Sequence, residues 1–440
     1  MGYSRRMSLT SRARPRPDLS GSAEAPVVSP GNRLGWLDLL RGVAALTIAG
    51  EHFVQMVVPE LYARVTHRFD VASFGVFLFF LVSGYIVPAS LERRGSVRGF
   101  WISRFFRIYP LCLVVVLVGI GVWAAGAYTA LSPVSPFPAK HPAVAALANL
   151  TMLHDFVGVG GSLFVMWTLS YEMVFYLLVA GLFVLGLHRR SAEISAGLAL
   201  IGALAAGLFP VLLFSRDLHN TEVTVAVSAA AMAVGLTCLL SRRRALSVTG
   251  AVLLAGLALV LVTVNGRMPG WFGLSILATM FGGTAIYRAE QGQISRRKCA
   301  AACVVALGAV VAAGACWDEH ARMTHHVQWQ WVAAMLATWA AFGLGMLLRG
   351  RTVPRFLTWL GSVSYSIYLV HAVLLCVLLW LISPTAVRDI PLWSRFGIGI
   401  VFIAVVLAVS QLTFTVVERP AQRLGRRVTA LVERRANGGA

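Results

Sequence analysis

The stretch GAVLLAGLALVLVTV, residues 250–264, has no charge and no alternation of polar with apolar side chains. A porin-like strand would alternate over roughly ten residues, so this run reads as a helix. Apolar segments of about 18 residues recur from Trp36 to Val417 between short polar loops, each able to cross a hydrocarbon core about 30 Å thick. Segments lie near 36–57, 72–90, 108–127, 163–187, 192–214, 223–240, 248–264, 271–287, 299–316, 331–348, 363–382 and 396–417. Across the 440 residues, 58% are hydrophobic and 13% charged, which excludes a water-soluble enzyme. The expected fold class is all-α: a polytopic transmembrane helix bundle of about 10–12 spans.

A net charge of +20 could suggest nucleic acid, but the placement of the charges argues otherwise. Of 38 Lys and Arg, only Arg64, Arg68, Lys140, Arg216, Arg267, Arg322, Arg388 and Arg395 fall on the side opposite the N-terminus. That is the positive-inside asymmetry, so both termini are expected in the cytosol, in the inner or cell membrane. Membrane lipid is the expected partner of the basic face, and nucleic acid is not. Residues 1–33, rich in Arg, Pro and Ser, read as a disordered basic cytosolic tail without a signal-peptide core. Residues 34–424 read as the membrane domain and 425–440 as a basic C-terminal tail, with no appended soluble catalytic domain expected. The six cysteines show no paired spacing, and Cys299 and Cys303 read as core. His320, His325 and His326 read as a solvated loop, so no metal is expected.

In such a protein, function is sought where ionisable groups sit in hydrocarbon, because a charge there costs about 2.5–3.5 kcal/mol. Within the spans stand Glu51, His52, Glu172 and His371, with Asp38 and Arg41 at the start of the first. Arg41 and His52 lie within about 20° on one helix face, with His52 about 16 Å deeper. His371 reaches nearly the same depth and Glu172 approaches the midplane, so two histidines and a carboxylate can converge. A carboxylate beside an imidazole raises its basicity and fixes its tautomer, as suits a general base acting on a hydroxyl. Glu51 projects about 100° from His52 and could be a second proton acceptor or face a water-filled cavity. Arg104 and Arg107, at i and i+3, share a face and with Arg41 could form a mouth for phosphates. Ser83, Gly84 and Tyr85 lie midway through the second span, where glycine admits a helix or a ligand closely.

The segments LDLLRGVAALTIAGEH (37–52), FGVFLFFLVSGYI (74–86), SRFFRIYPL (103–111), WTLSYEMVFYLL (167–178), SYSIYLVH (364–371) and VERP (417–420) together resemble the signature segments of the membrane-bound acyltransferase-3 family. The resemblance covers residues 36–424. It implies transfer of an acyl group, commonly acetyl from acetyl-CoA, to a sugar hydroxyl on a surface glycan, a lipid-linked saccharide or a glycosylated natural product. No bound cofactor is expected; acyl-CoA is a co-substrate. By the resemblance His52 is the catalytic group, with Glu172 and His371 in later signature segments, Arg41, Arg104 and Arg107 at the donor, and Ser83, Gly84, Tyr85 and Tyr176 in the substrate pocket, where Glu51 is expected from its own place beside His52. The family core implies about ten helices against the twelve segments counted here, and Glu51 stands where an apolar residue is common. His52 could deprotonate the acceptor or carry the acyl group itself. Arginine outnumbers lysine 36 to 2, which suggests a GC-rich bacterial host. The alternative from another class is a proton-coupled transporter or exporter relaying protons through Glu51, His52, Glu172 and His371.

Overall fold

A computed structural model describes residues 35–126, 140–317, 328–382 and 386–437. The expected N-terminal tail, 1–33, and His320, His325 and His326 lie outside these residues. Every regular element among the described residues is a helix. In chain order they are α1 (Gly35–Val57), α2 (Pro59–Thr66), α3 (Val71–Arg94), α4 (Val97–Ala124), α5 (Pro142–Leu150), α6 (Trp167–Val184), α7 (Ser191–Ala205), α8 (Leu218–Leu239), α9 (Arg244–Val264), α10 (Gly270–Glu290), α11 (Arg296–Trp317), α12 (Trp329–Leu347), α13 (Arg355–Ser362), α14 (Ser364–Ile382), α15 (Leu392–Thr413) and α16 (Arg419–Asn437). Ten are long and apolar enough to cross a membrane, as expected of a multi-pass bundle.

Two of the twelve segments counted in the sequence fall outside those ten. α1 has the length but carries Asp38, Arg41 and Glu51, and α7 has only 15 residues. Both are packed among the others. Ser195 of α7 donates to the Ala278 carbonyl of α10 at 2.7 Å, and Trp317 of α11 donates to the Ala203 carbonyl of α7 at 2.7 Å.

The helices differ in what surrounds them. In α10, 94% of the apolar window is buried, against 33% or less in α4, α8, α9, α11, α12 and α15. α10 is therefore the axis of the bundle, and the others turn apolar side chains such as Leu113, Leu117, Val227 and Ile400 outward, as a lipid-facing surface requires. α3 crosses α10 with backbone against backbone. A Cβ on Gly84 would lie 1.9 Å from the Met280 carbonyl oxygen, and one on Gly283 would lie 2.3 Å from that of Leu81. Thr284 Oγ1 then reaches the Gly84 carbonyl at 2.8 Å. Without a hydrophobic force between helices in lipid, such close packing and its hydrogen bonds hold them together.

The turn from α3 to α4 fixes the basic end. Gly95, at φ 62°, ends α3, and the Ser96 hydroxyl caps α4 by accepting from the Gly99 amide at 3.1 Å. At the opposite end a polar knot ties the loop before α6 to that helix. His154, fully buried, places Nε2 3.2 Å from both the Met166 carbonyl and Ser170 Oγ, while its Nδ1 and Asp155 Oδ2 have no hydrogen-bond partner among the described residues. The Arg267 amide donates to the Asp155 backbone carbonyl at 3.1 Å. Burial pushes the Asp155 carboxyl up from its usual 3.8 to about 6, against the pull of Arg267. Burial pushes His154 down from 6.5 to about 4, against the Met166 bond.

These two groups give opposite pH dependence. Between 3.8 and about 6 the folded protein keeps an Asp155 proton that the unfolded chain loses, so this contribution to stability fades as pH rises. Between about 4 and 6.5 the unfolded chain binds a His154 proton that the folded protein refuses, so that contribution grows as pH rises. Asp155→Asn is therefore expected to make the thermal midpoint of the detergent-solubilised protein climb more steeply with pH from about 4.5 to 6 than in wild type. Equal slopes would contradict this assignment. At the helix crossing, Gly84→Ala should cost at least the ~1–3 kcal/mol of an overpacked core, read as a lowered midpoint or loss of folded protein. Gly397→Ala, inside a helix and with open space about its Cβ, should not lower the midpoint.

Candidate active site

The site begins on α1, which is seated against α13 by two glycines. A Cβ on Gly361 would lie 2.1 Å from the Asp38 carbonyl, and one on Gly42 would lie 2.7 Å from Leu360. This close approach places the Arg41 side chain in a narrow cleft lined also by Phe79 and Ser83 of α3, Arg104 and Arg107 of α4, Glu172 of α6 and Tyr365 of α14. The three expected donor arginines therefore meet. Arg41 and Arg107 make no hydrogen bond and no ion pair within 4 Å among the described residues. Arg104 is committed to the fold: it is buried, donates to Ser90 Oγ at 2.8 Å, and lies over the rings of Phe100 (5.3 Å) and Tyr176 (5.4 Å). Three guanidiniums and the Glu172 carboxylate line the cleft, with Asp38 and Glu418 also close enough to attract Arg41, and guanidiniums without a direct ion pair suit an anionic ligand.

At greater depth the two histidines touch. His52 Nδ1 lies 3.1 Å from His371 Nε2, and His371 Nδ1 lies 2.9 Å from the Ile367 carbonyl oxygen. That carbonyl can only accept, so Nδ1 of His371 carries the hydrogen and, in the neutral ring, Nε2 accepts from His52 Nδ1. The lone pair left over is on His52 Nε2. His371 is fully buried, whereas the His52 side chain keeps 22% of its surface open, and the Phe164 ring stands edge-on to it at 4.9 Å.

Glu51 brings its Oε2 to 3.5 Å from His52 Nε2, and this oxygen is buried without a hydrogen-bond partner among the described residues. The 100° phase separates only the Cβ directions, and a glutamate side chain is long enough to turn back over its neighbour. Glu172 lies elsewhere: it accepts from Tyr176 Oη and faces the arginine cleft, with no hydrogen bond to either histidine. Ser83, Gly84 and Tyr85 also part company. Ser83 lines the cleft, Gly84 forms the α3–α10 crossing, and Tyr85 Oη donates to Glu290, which also pairs with Arg349 at the basic end.

Between cleft and histidines stand rings that sequence reasoning had not assigned. Tyr365, Tyr368 and His371 climb one side of α14; Tyr368 stacks on Phe79 at 6.3 Å and meets His371 at 5.9 Å. Tyr365 Oη donates to the Ile108 carbonyl at 2.9 Å, and Tyr368 Oη to that of Val165 at 2.7 Å, which anchors α14 to α4 and to the start of α6. Their i, i+3, i+6 spacing was visible in SYSIYLVH, but tyrosine spacing alone does not separate packing from function. Among the described residues no three His, Cys, Asp or Glu side chains converge to hold a metal.

Comparison with known proteins places the chain in a family. The acyltransferase MdmB of Streptomyces mycarofaciens is 36% identical over 89 residues, 20% of this chain and 23% of that protein. Nodulation protein 10 of Rhizobium leguminosarum bv. viciae is 28% identical over 200 residues, 43% of this chain and 54% of that protein. The chain thus spans about a quarter and about half of the lengths of these relatives. No solved structure matches it. Residues 34–415, which hold both the arginine cleft and the histidine pair, match the acyltransferase domain of the acyltransferase-3 family, and the chain belongs to that family of membrane acyltransferases.

Proposed function

We propose that this acyltransferase moves an acyl group, acetyl in the first instance, from acyl-CoA to a sugar hydroxyl on a surface glycan, a lipid-linked saccharide or a glycosylated natural product in a bacterial cell membrane. The observation that carries the reading is the His52 Nε2 lone pair, oriented by His371 and lying beyond a cleft with two guanidiniums that make no direct ion pair among the described residues. The basic end faces the cytosol in this reading, as the distribution of arginine favours, and the donor enters there. Arg41 and Arg107 bind its phosphates, Arg104 supports the wall of the cleft, and Glu172, held by Tyr176, spaces the two cations.

The acceptor hydroxyl approaches His52 from its open side and gives its proton to Nε2. The oxygen attacks the thioester carbonyl, the C–S bond breaks, and the leaving thiolate takes the proton back from the imidazolium, giving ester and CoA thiol. Glu51, 3.5 Å from Nε2, stabilises the transient imidazolium, the part first assigned to Glu172. His371 acts through His52 as a positioning residue: without it Nδ1 loses its acceptor and the tautomer is no longer fixed.

The test is CoA-thiol release from acetyl-CoA by membranes supplied with cell extract as acceptor source. Wild type should release thiol, and His52→Ala should fall by about 10²–10⁴-fold at equal expression. His371→Ala should lose about tenfold or more in kcat with KM for acetyl-CoA little changed, whereas Arg107→Gln should act mainly on KM. Equal release by wild type and His52→Ala would remove His52 from the reaction. Labelled acetyl recovered on an amine or a lipid hydroxyl, not on a saccharide, would overturn the acceptor class.

A further inference from the structure

A second, larger cavity of about 630 Å³ opens at the basic end and meets the cleft at Arg104 and Arg107, which line both. One of its walls is α16. Gln422, Gly425, Arg426, Thr429 and Glu433 follow helical spacing and line the cavity along one stripe. The charged groups that line it, among the described residues, are Arg93, Arg94, Arg104, Arg107 and Arg426 against Glu433, with Glu418 behind Gln422 close enough to attract Arg107. The volume is that of a site for a nucleotide-sized molecule, and the charge selects an anion.

α16 is a fixed wall of this cavity. A Cβ on Gly425 would lie 2.7 Å from the Phe106 side chain, and Gly99 of α4 also lies close to α16, its Cβ position 3.0 Å from Glu433 Oε1 and 3.2 Å from Thr429. Upstream, a π turn at Phe414–Glu418 joins α15 to α16 and turns Glu418 inward. Ser366 Oγ of α14 donates to that carboxylate at 3.1 Å and Gln422 Nε2 at 2.9 Å. The helix lies beyond residues 34–415, the part matched by the family's acyltransferase domain.

We propose that α16 completes the donor site and that Arg426 binds the phosphates of the nucleotide-bearing thioester, across the cavity from Arg93 and Arg94. This rests on the acyl-CoA reading above. The same phosphate chemistry could come from an anionic lipid headgroup, so the test separates the two. Binding of CoA to the full-length protein in detergent is measured by titration calorimetry for wild type, Arg426→Gln and Arg423→Gln, the last an exposed arginine that does not line the cavity. Arg426→Gln should weaken CoA about tenfold, the loss of one charge-assisted bond, while Arg423→Gln stays within about twofold. Pantetheine, which lacks the nucleotide, should bind wild type and Arg426→Gln alike.

Equal CoA affinity in wild type and Arg426→Gln overturns the proposal; if that variant also loses copurified phosphatidylglycerol, the phosphate in the cavity belongs to lipid. CoA binding that depends on Arg426 in a protein with no His52-dependent transfer would leave this site standing and overturn the reaction. Normal transfer with an unchanged KM in Arg426→Gln would do the reverse. No CoA binding by wild type would overturn both.

Discussion

A guanidinium buried among apolar helices is tolerated only inside a polar enclosure, and the geometry of this bundle follows from providing one for Arg41. The enclosure takes contributions from α1, α3, α4, α6 and α14, so these five helices cannot drift apart without exposing the charge. α13 presses α1 into place through Gly42 and Gly361, and the capped turn between α3 and α4 sets Arg104 against Ser90. α10, buried along nearly its whole length, backs α3 from behind. The histidine pair depends on the same arrangement, because a hydrogen bond of 3.1 Å between side chains 319 residues apart exists only if α1 and α14 hold their depth and rotation.

Much of this was legible in the sequence because helix geometry is regular. Eleven residues from Arg41 to His52 fix both the shared face and the rise, and charge asymmetry together with span order put His371 at a similar depth. Contact itself was not legible. Whether His371 meets His52 or the carbonyl of a neighbouring helix depends on rotations of a few tens of degrees that the apolar pattern of a buried helix does not encode. Glu172 was placed beside the histidines on depth alone, although it belongs with the arginines. Glu51 is readable as a second proton acceptor or a cavity-facing group, but its contact with His52 is not, because a three-carbon side chain can bend across the 100° that separates the two Cβ directions. The count of twelve segments exceeded the ten that meet a length-and-hydropathy threshold because α1 trades apolar character for function and α7 is short yet wholly supported by α10 and α11.

The basic C-terminal segment was the least readable part. Its composition, mean hydropathy aside, resembles that of any cytosolic tail with topology-setting arginines. What distinguishes it is a stripe of small and polar residues, Gln422, Gly425 and Thr429, that lets a helix lie close to α4. Such a stripe acquires meaning only beside its partner.

The α3–α10 crossing has a consequence for how this protein can change over time. At Gly84 and Gly283 the space a methyl would need is filled by main chain, which every residue possesses, so no substitution on the facing helix can make room. A clash with a side chain can be relieved by shortening that side chain; a clash with a carbonyl can be relieved only by moving a whole helix. The two positions are therefore a mutational fixed point: sequence drift can reshape the acceptor side or the lipid-facing helices while this junction must pass through each generation unaltered.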